Sequence, residues 1–256
     1  MGRDKHTYIL VIPSLFTTGN LFCGFYSIVR SFNHDFEKAA YAIILAGIFD
    51  VLDGRVARIT QSTSKFGVEY DSISDVVSFG VAPAILAYVW LLKDYGNVGW
   101  AASFFFAACG ALRLARFNTI ADEGMTKSYF LGLPIPAAAN LVASVAIADR
   151  ELHLPYVAPI MLVIMFLMGT LMVSSVRYRS FKDFDLRHRR SFFQLVLLVA
   201  VIALAAVRPE ITLLAMFSYY SLWGPLQEFL LLIRRVVLHK KGDALSEPKE
   251  ELRGRE

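Results

Sequence analysis

Charge is scarce in this chain. Of its 256 residues 19% are Asp, Glu, Lys or Arg, against 56% hydrophobic, and the mean hydropathy is +0.50. That balance excludes an ordinary solvated domain and points to a polytopic membrane protein. Cysteine is almost missing. Cys23 and Cys109 both lie in apolar stretches, which excludes a disulfide framework and a cysteine-based metal motif. The five histidines are scattered, so no histidine pair competes as a metal site, and nothing points to a nucleic-acid partner. No cleaved signal peptide is expected either. Arg3 and Lys5 precede an apolar run, but no convincing small-residue cleavage site follows, so the segment is read as retained.

What stands out against this background is acid in an apolar setting. Asp50, Asp53, Gly54 and Ala57 fall at i, i+3, i+4 and i+7, so on a helix they share a face. Asp71 and Asp75, four apart, share a face of the next helix, with Gly67 one turn earlier. Side by side, the two helices would converge four carboxylates over a patch without bulky side chains. Such a group repels itself unless something positive sits within it, and hard oxygen ligands suit Mg²⁺, Mn²⁺ or Ca²⁺, with room for two ions. The competing reading is a solvated charged helix surface. The apolar blocks on either side, AIILAGIF and VVSFGVAPAILAYVWLL, argue against it.

At about 17–25 residues per crossing, eight spans are expected at 14–31, 39–59, 75–93, 98–118, 133–149, 155–176, 191–207 and 211–233. A short interfacial helix over 5–12 is expected to break at Pro13. Small residues such as Gly47, Gly110, Ala111, Gly169 and Ser174 allow close helix packing. The expected fold is thus an all-α membrane bundle over 1–236, followed by a polar tail over 237–256. With the N-terminus inside, only Arg30, Lys38, Lys93, Arg150 and Arg208 of the 26 basic residues fall outside. The positive-inside rule then puts both termini and the aspartates in the cytoplasm.

Asp50-Val-Leu-Asp53-Gly54-Arg55-Val-Ala57-Arg58, then eight residues to Gly67, Asp71 and Asp75, fits the pattern D-x2-D-G-x2-A-R-x8-G-x3-D-x3-D. All eight fixed positions match, and chance would give this on the order of 10⁻¹⁰ per starting position. In this the chain resembles the CDP-alcohol phosphotransferases, integral membrane enzymes of phospholipid synthesis. Three further stretches resemble the phosphatidylserine synthase branch: SLFTTGNLFCGF at 14–25, DVVSFGVAPA at 75–84, and ALRLARFN at 111–118 followed by GLPIPAAA at 132–139. One departure is Pro13-Ser14, where that branch often has Pro-Asn.

The resemblance implies phosphatidyl transfer from CDP-diacylglycerol to L-serine, with release of CMP and two divalent cations (Mg²⁺ or Mn²⁺) as cofactors. It implies metal ligation by Asp50, Asp53, Asp71 and Asp75, with Asp75 as general base. Gly54, Ala57, Arg58 and Gly67 would receive the CDP-lipid; membrane lipids and a second copy in a homodimer are the further partners. Arg58 has a second reading, as a cytoplasmic arginine reaching the interface. Arg113, Arg116 and Asn118 form another polar set, with the arginines at i, i+3 on one face. They would contact the serine carboxylate or a lipid phosphate, or else anionic head groups. The Gly132–Pro136 run would break the backbone before span five and shape the pocket wall, or merely end a loop. Other acceptors (glycerol phosphate, inositol phosphate), an archaeal ether-lipid donor and a cation transporter stand as alternatives. A transporter would place its acids nearer the bilayer midplane, and Arg55, Arg58 and Lys65 would repel a passing cation.

Overall fold

Long apolar runs punctuated by short polar turns build helices, and the computed structural model shows a helical bundle. It describes residues 4–60, 64–122, 129–179 and 207–245, with isolated positions 196, 199, 203 and 204 between the last two stretches. In chain order these are α1 (Asp4–Phe32), α2 (Phe36–Thr60), α3 (Lys65–Asp75), a π-helical segment (Val76–Val81) and α4 (Ala82–Trp90). A 3₁₀ turn (Leu92–Tyr95) leads to α5 (Gly96–Asp122); then follow β1 (Tyr129–Leu131), α6 (Ile135–Leu152), α7 (Val157–Val173), β2 (Arg177–Arg179) and α8 (Pro209–Leu245). Most of the expected seventh span, 191–207, and most of the stretch 177–190 lie outside the described residues.

Two of these helices are long and apolar enough to cross a bilayer: Lys65–Trp90, which joins α3, the π segment and α4, and Leu92–Thr119. The first, 26 residues, measures about 39 Å at about 1.5 Å per residue, beyond a hydrocarbon core of about 30 Å. Span three was expected to begin at Asp75; the helix that contains it begins ten residues earlier, because Ser64 caps it there. The Ser64 hydroxyl accepts the Gly67 N–H at 3.0 Å. Among the others, α2 carries Asp50 and Asp53 inside its apolar stretch, α6 ends in Asp149-Arg150-Glu151, and α7 is 17 residues long. The expected break at Pro13 does not occur: α1 runs through it. A proline forfeits one hydrogen bond and crowds the carbonyl four residues back, a loss that membrane helices absorb. At the other end α8 continues to Leu245, so the first part of the expected polar tail is helical.

The π segment has its own local cause. Pro83 stands at the start of α4, where its ring would clash with the Phe79 carbonyl in a regular α-turn. The backbone widens just before it, and the Ala82 N–H bonds to the Val77 carbonyl, five residues back.

The core centres on α6. From Ala137 to Ala148 its residues are buried on every side, packed by α2, α8, α4 and α7. Helices buried all round are apolar all round, and the alanines here let neighbours approach closely. Large apolar side chains point outward instead: Phe22 and Phe25 on α1, Trp100 and Phe104 on α5, Val163 on α7. So broad an exposed apolar surface suits lipid, not water.

One feature is not helical. Strands β1 and β2 pair antiparallel, with Phe130 opposite Tyr178. Gly132, at φ 78°, turns the chain from β1 toward α6 where a Cβ would collide with the Met172 carbonyl. The Tyr178 ring packs against Gly224, and its hydroxyl donates to the Ser221 carbonyl at 3.0 Å. The strand pair thereby fastens α8 to the bundle.

The ends of α1, α2, α6 and α8 on the side expected to face outward carry ion pairs. Arg30 and Lys38 reach Asp35 at 3.7 and 2.8 Å, Arg150 pairs with Glu37, and Arg208 reaches Glu210 at 3.4 Å. Four of the five basic residues assigned to that side thus have an acidic partner.

Candidate metal centre

Helices α2 and α3 both pack against α1. This brings Asp50 of α2 against Asp71 and Asp75 of α3: one carboxylate oxygen from each lies within 4.8 Å of the other two. Asp75 is buried, the last α3 residue before the backbone widens. Its Oδ1 accepts from the Asn20 amide of α1 at 3.0 Å. The Oδ1 of Asp71 is buried with no hydrogen-bond partner.

Of the four aspartates expected to converge, Asp50, Asp71 and Asp75 bring carboxylate oxygens within 4.8 Å of one another, and Asp53 stays within electrostatic reach of Asp50 and Asp71. Asp53 is buried but turned to α1, where its carboxylate accepts a hydrogen bond from the Thr17 hydroxyl. The spacing i, i+3 leaves a 60° offset on the helix, enough for α1 to claim Asp53 while Asp50 faces α3.

A divalent cation fits this donor set. Three hard carboxylates sit within mutual repulsion, and no lysine or arginine among the described residues forms an ion pair with them. The orphaned Asp71 oxygen is an unused ligand atom.

The small-residue face is partly visible. A Cβ on Gly54 would meet nothing within 4 Å, so the surface one turn beyond Asp50 is open. Ala57 and Arg58 lie in the last turns of α2, with side chains outside the described residues. Gly67 is half-buried, and a Cβ there would press to 3.2 Å on the Ser64 hydroxyl that caps α3. Its small size therefore also serves the cap.

The polar set on α5 divides, against expectation. Arg113 is buried, within electrostatic reach of Asp75 and of Tyr220 on α8, and its Nε has no hydrogen-bond partner. Arg116 is exposed, and its Nη1 reaches the Val173 carbonyl at the end of α7 at 3.4 Å. Three residues turn a helix about 300°, and here the missing 60° separates interior from rim. Asn118 donates to the Ser72 hydroxyl at 2.9 Å and so ties α5 to α3.

Thr17 and Tyr220 were not singled out from the sequence, and Asn20 only as a polar residue near Pro13-Ser14. Thr17 and Asn20, polar and three apart on α1, were a readable signal. Tyr220 offered none. The Ser78 hydroxyl donates to the Asn20 carbonyl at 2.9 Å, and Gly24, one turn beyond Asn20, lets α1 press against Ser78. Helix α1 is thus clamped on both sides of Asp75.

Residues 10–173 match the family described as CDP-alcohol phosphatidyltransferase. A relative from Helicobacter pylori (strain ATCC 700392 / 26695), named CDP-diacylglycerol–serine O-phosphatidyltransferase, is 37% identical over 238 residues, 92% of this chain and 98% of its own length. A relative of the same name from Methanocaldococcus jannaschii is 45% identical over 141 residues, 55% of this chain and 63% of its own. An archaetidylserine synthase from Methanothermobacter thermautotrophicus is 37% identical over 182 residues, 70% and 73% of the two chains.

Proposed function

The chain belongs to the CDP-alcohol phosphatidyltransferase family, and from that premise we propose that it transfers the phosphatidyl group of CDP-diacylglycerol to the hydroxyl of L-serine. The products are phosphatidylserine and CMP. The observation that carries this reading is the convergence of Asp50, Asp71 and Asp75 beside the open face at Gly54, with Arg113 buried next to Asp75.

Mg²⁺ or Mn²⁺, two ions held by Asp50, Asp53, Asp71 and Asp75, supply when bound the positive charge that a pyrophosphate and its departing CMP require. The remaining tasks fall to the chain itself. Open space at Gly54 admits the nucleotide against α2, with Ala57 and Gly67 as the other small positions and Arg58 placed for a phosphate oxygen. Asp75 takes the proton of the serine hydroxyl as its oxygen bonds to the lipid-side phosphorus and the bond from phosphorus to the CMP oxygen breaks. The Asn20 amide holds the Asp75 carboxylate in one orientation for that transfer. Arg113 receives the serine carboxylate, which its buried guanidinium suits. Arg116, at the rim, is placed for a lipid phosphate, and Asn118 positions α3 through Ser72. A phosphorylated acceptor would call for more basic groups here; among the described residues Arg113 alone is buried beside the acids. An ether-linked CDP lipid is the second reading for the donor, favoured by the archaetidylserine synthase relative.

The same reading makes the chain a multi-pass protein of the cell membrane with about eight crossings. It places both termini and the aspartates in the cytoplasm, and takes the active form as a homodimer.

The test uses purified protein in nanodiscs with CDP-diacylglycerol and radiolabelled L-serine, glycerol phosphate or inositol phosphate. Label should enter lipid from serine alone, with one CMP released per transfer, and EDTA should stop it reversibly. Faster labelling from a phosphorylated acceptor would overturn the assignment.

A further inference from the structure

Asn20 is a fully enclosed polar side chain at the reacting end of the bundle. None of its surface is exposed, its Nδ2 donates to Asp75 Oδ1 at 3.0 Å, and its backbone carbonyl accepts from Ser78 at 2.9 Å. A carboxylate only accepts, so the NH₂ end of the amide has to face Asp75. That choice leaves Asn20 Oδ1 buried as an acceptor without a donor. Arg113 presents the opposite case: a buried guanidinium, also near Asp75, whose Nε has no acceptor. Buried polar groups left unmade are costly and rare. Two of them, of opposite kind, flank one carboxylate. Their complement is a molecule carrying a cationic donor and an anionic acceptor close together.

We propose that Asn20 Oδ1 receives the ammonium group of the acceptor, making Asn20 the residue that selects an α-amino acid over other alcohols. This rests on the proposed function, in which serine is the acceptor, Asp75 its base and Arg113 the contact for its carboxylate. The amide does two things at once. Its donor end orients Asp75, and its acceptor end recognises the group next to the hydroxyl that Asp75 deprotonates. A phosphate in the same place would set oxygen against oxygen, so the contact also rejects phosphorylated acceptors. An alcohol lacking the ammonium would leave Oδ1 unpaired, a penalty of the kind that makes sites discriminate strongly against a missing donor.

The experiment compares kcat/KM for L-serine and for 3-hydroxypropanoate, which keeps the hydroxyl and carboxylate but has no ammonium. Full-length protein in nanodiscs is used with CDP-diacylglycerol. The wild type should prefer serine by about 10–100-fold. In Asn20→Leu, close in volume, and in Asn20→Ala, that ratio should fall toward one. Both acceptors share any loss from a misplaced Asp75, so a purely orienting role would lower both rates and leave the ratio unchanged. An unchanged ratio in a variant that still binds CDP-diacylglycerol overturns the proposal. So does a loss of Mn²⁺ affinity, measured with the metal alone, in place of the change in ratio. If neither variant folds, competition in the wild type decides: 3-hydroxypropanoate inhibiting as well as serine overturns the proposal, and inhibition at least tenfold weaker supports it. A wild type that transfers to neither amino acid nor analogue, but to a phosphorylated alcohol, refutes the acceptor reading itself and is distinct from these results.

Discussion

Replacing Asp71 by Asn should make the metal-free protein more stable and the metal-loaded protein less stable than wild type. Three carboxylate oxygens lie within 4.8 Å of one another. At that separation and an effective dielectric of about 20, each charged pair repels by roughly 3 kcal/mol. Asp71 takes part in two of the three pairs, so an isosteric amide removes two repulsions and offers N–H groups to Asp50 and Asp75. Proton uptake by the wild-type cluster relieves part of the strain, so a net gain of about 1–3 kcal/mol in EDTA is expected. For a chain of this size that is about 2–12 °C in apparent Tm, at about 2–4 °C per kcal/mol. With Mn²⁺ the order reverses, because the wild type gains binding free energy that a neutral amide cannot supply. Thermal unfolding followed by tryptophan fluorescence at pH 8, with EDTA and with a Mn²⁺ series, reads both arms. If Asp71→Asn loses stability in EDTA, or Mn²⁺ fails to raise the wild-type Tm, the cluster is not a strained metal site and the reasoning is wrong.

Asp75→Asn should keep CDP-lipid and at least one metal ion bound, since Asp50 and Asp71 remain, while turnover falls about 10²–10⁴-fold. Gly54→Leu should retain metal and lose nucleotide binding, because the leucine fills the open face of α2; parallel binding and turnover assays separate the two, and equal loss of binding would recast Asp75 as chiefly a ligand. Tyr178→Phe should cost about 0.5–1.5 kcal/mol through loss of the bond to the Ser221 carbonyl, with kcat/KM unchanged; a large loss of activity would mean the strand clip also shapes the site. Single cysteines at Asn97 and Leu152 should label from outside intact cells, and one at Ser64 only after permeabilisation; outside labelling at Ser64 would invert the proposed topology.

Several features of the site are legible in the amino-acid sequence itself. Asp50 lies on one helix and Asp71 and Asp75 on the next, and their spacing reports which residues share a face, because helical period is a local property. The scarcity of charge and the length of the apolar runs likewise point to membrane helices through transfer free energy, which acts residue by residue. Gly132, Pro134 and Pro136 mark a break, and α6 begins among them. What remains hidden depends on how helices far apart in sequence rotate and press together. Thr17 holds the Asp53 carboxylate from 36 residues away, and Asn20 reaches Asp75 across 55. Arg113 and Arg116 read as one face in the pattern, yet the packing of α7, α4 and the π segment around α5 buries one and leaves the other at the rim. The strand pair that seats Tyr178 under α8 joins residues about fifty apart, and neither segment carries a pattern long enough to announce a strand. Sequence period and hydropathy thus decided which residues could face one another; the packing of α1 against α2 and α3, and of α5 against the π segment, decided which acids converge and which buried groups stay open to a substrate.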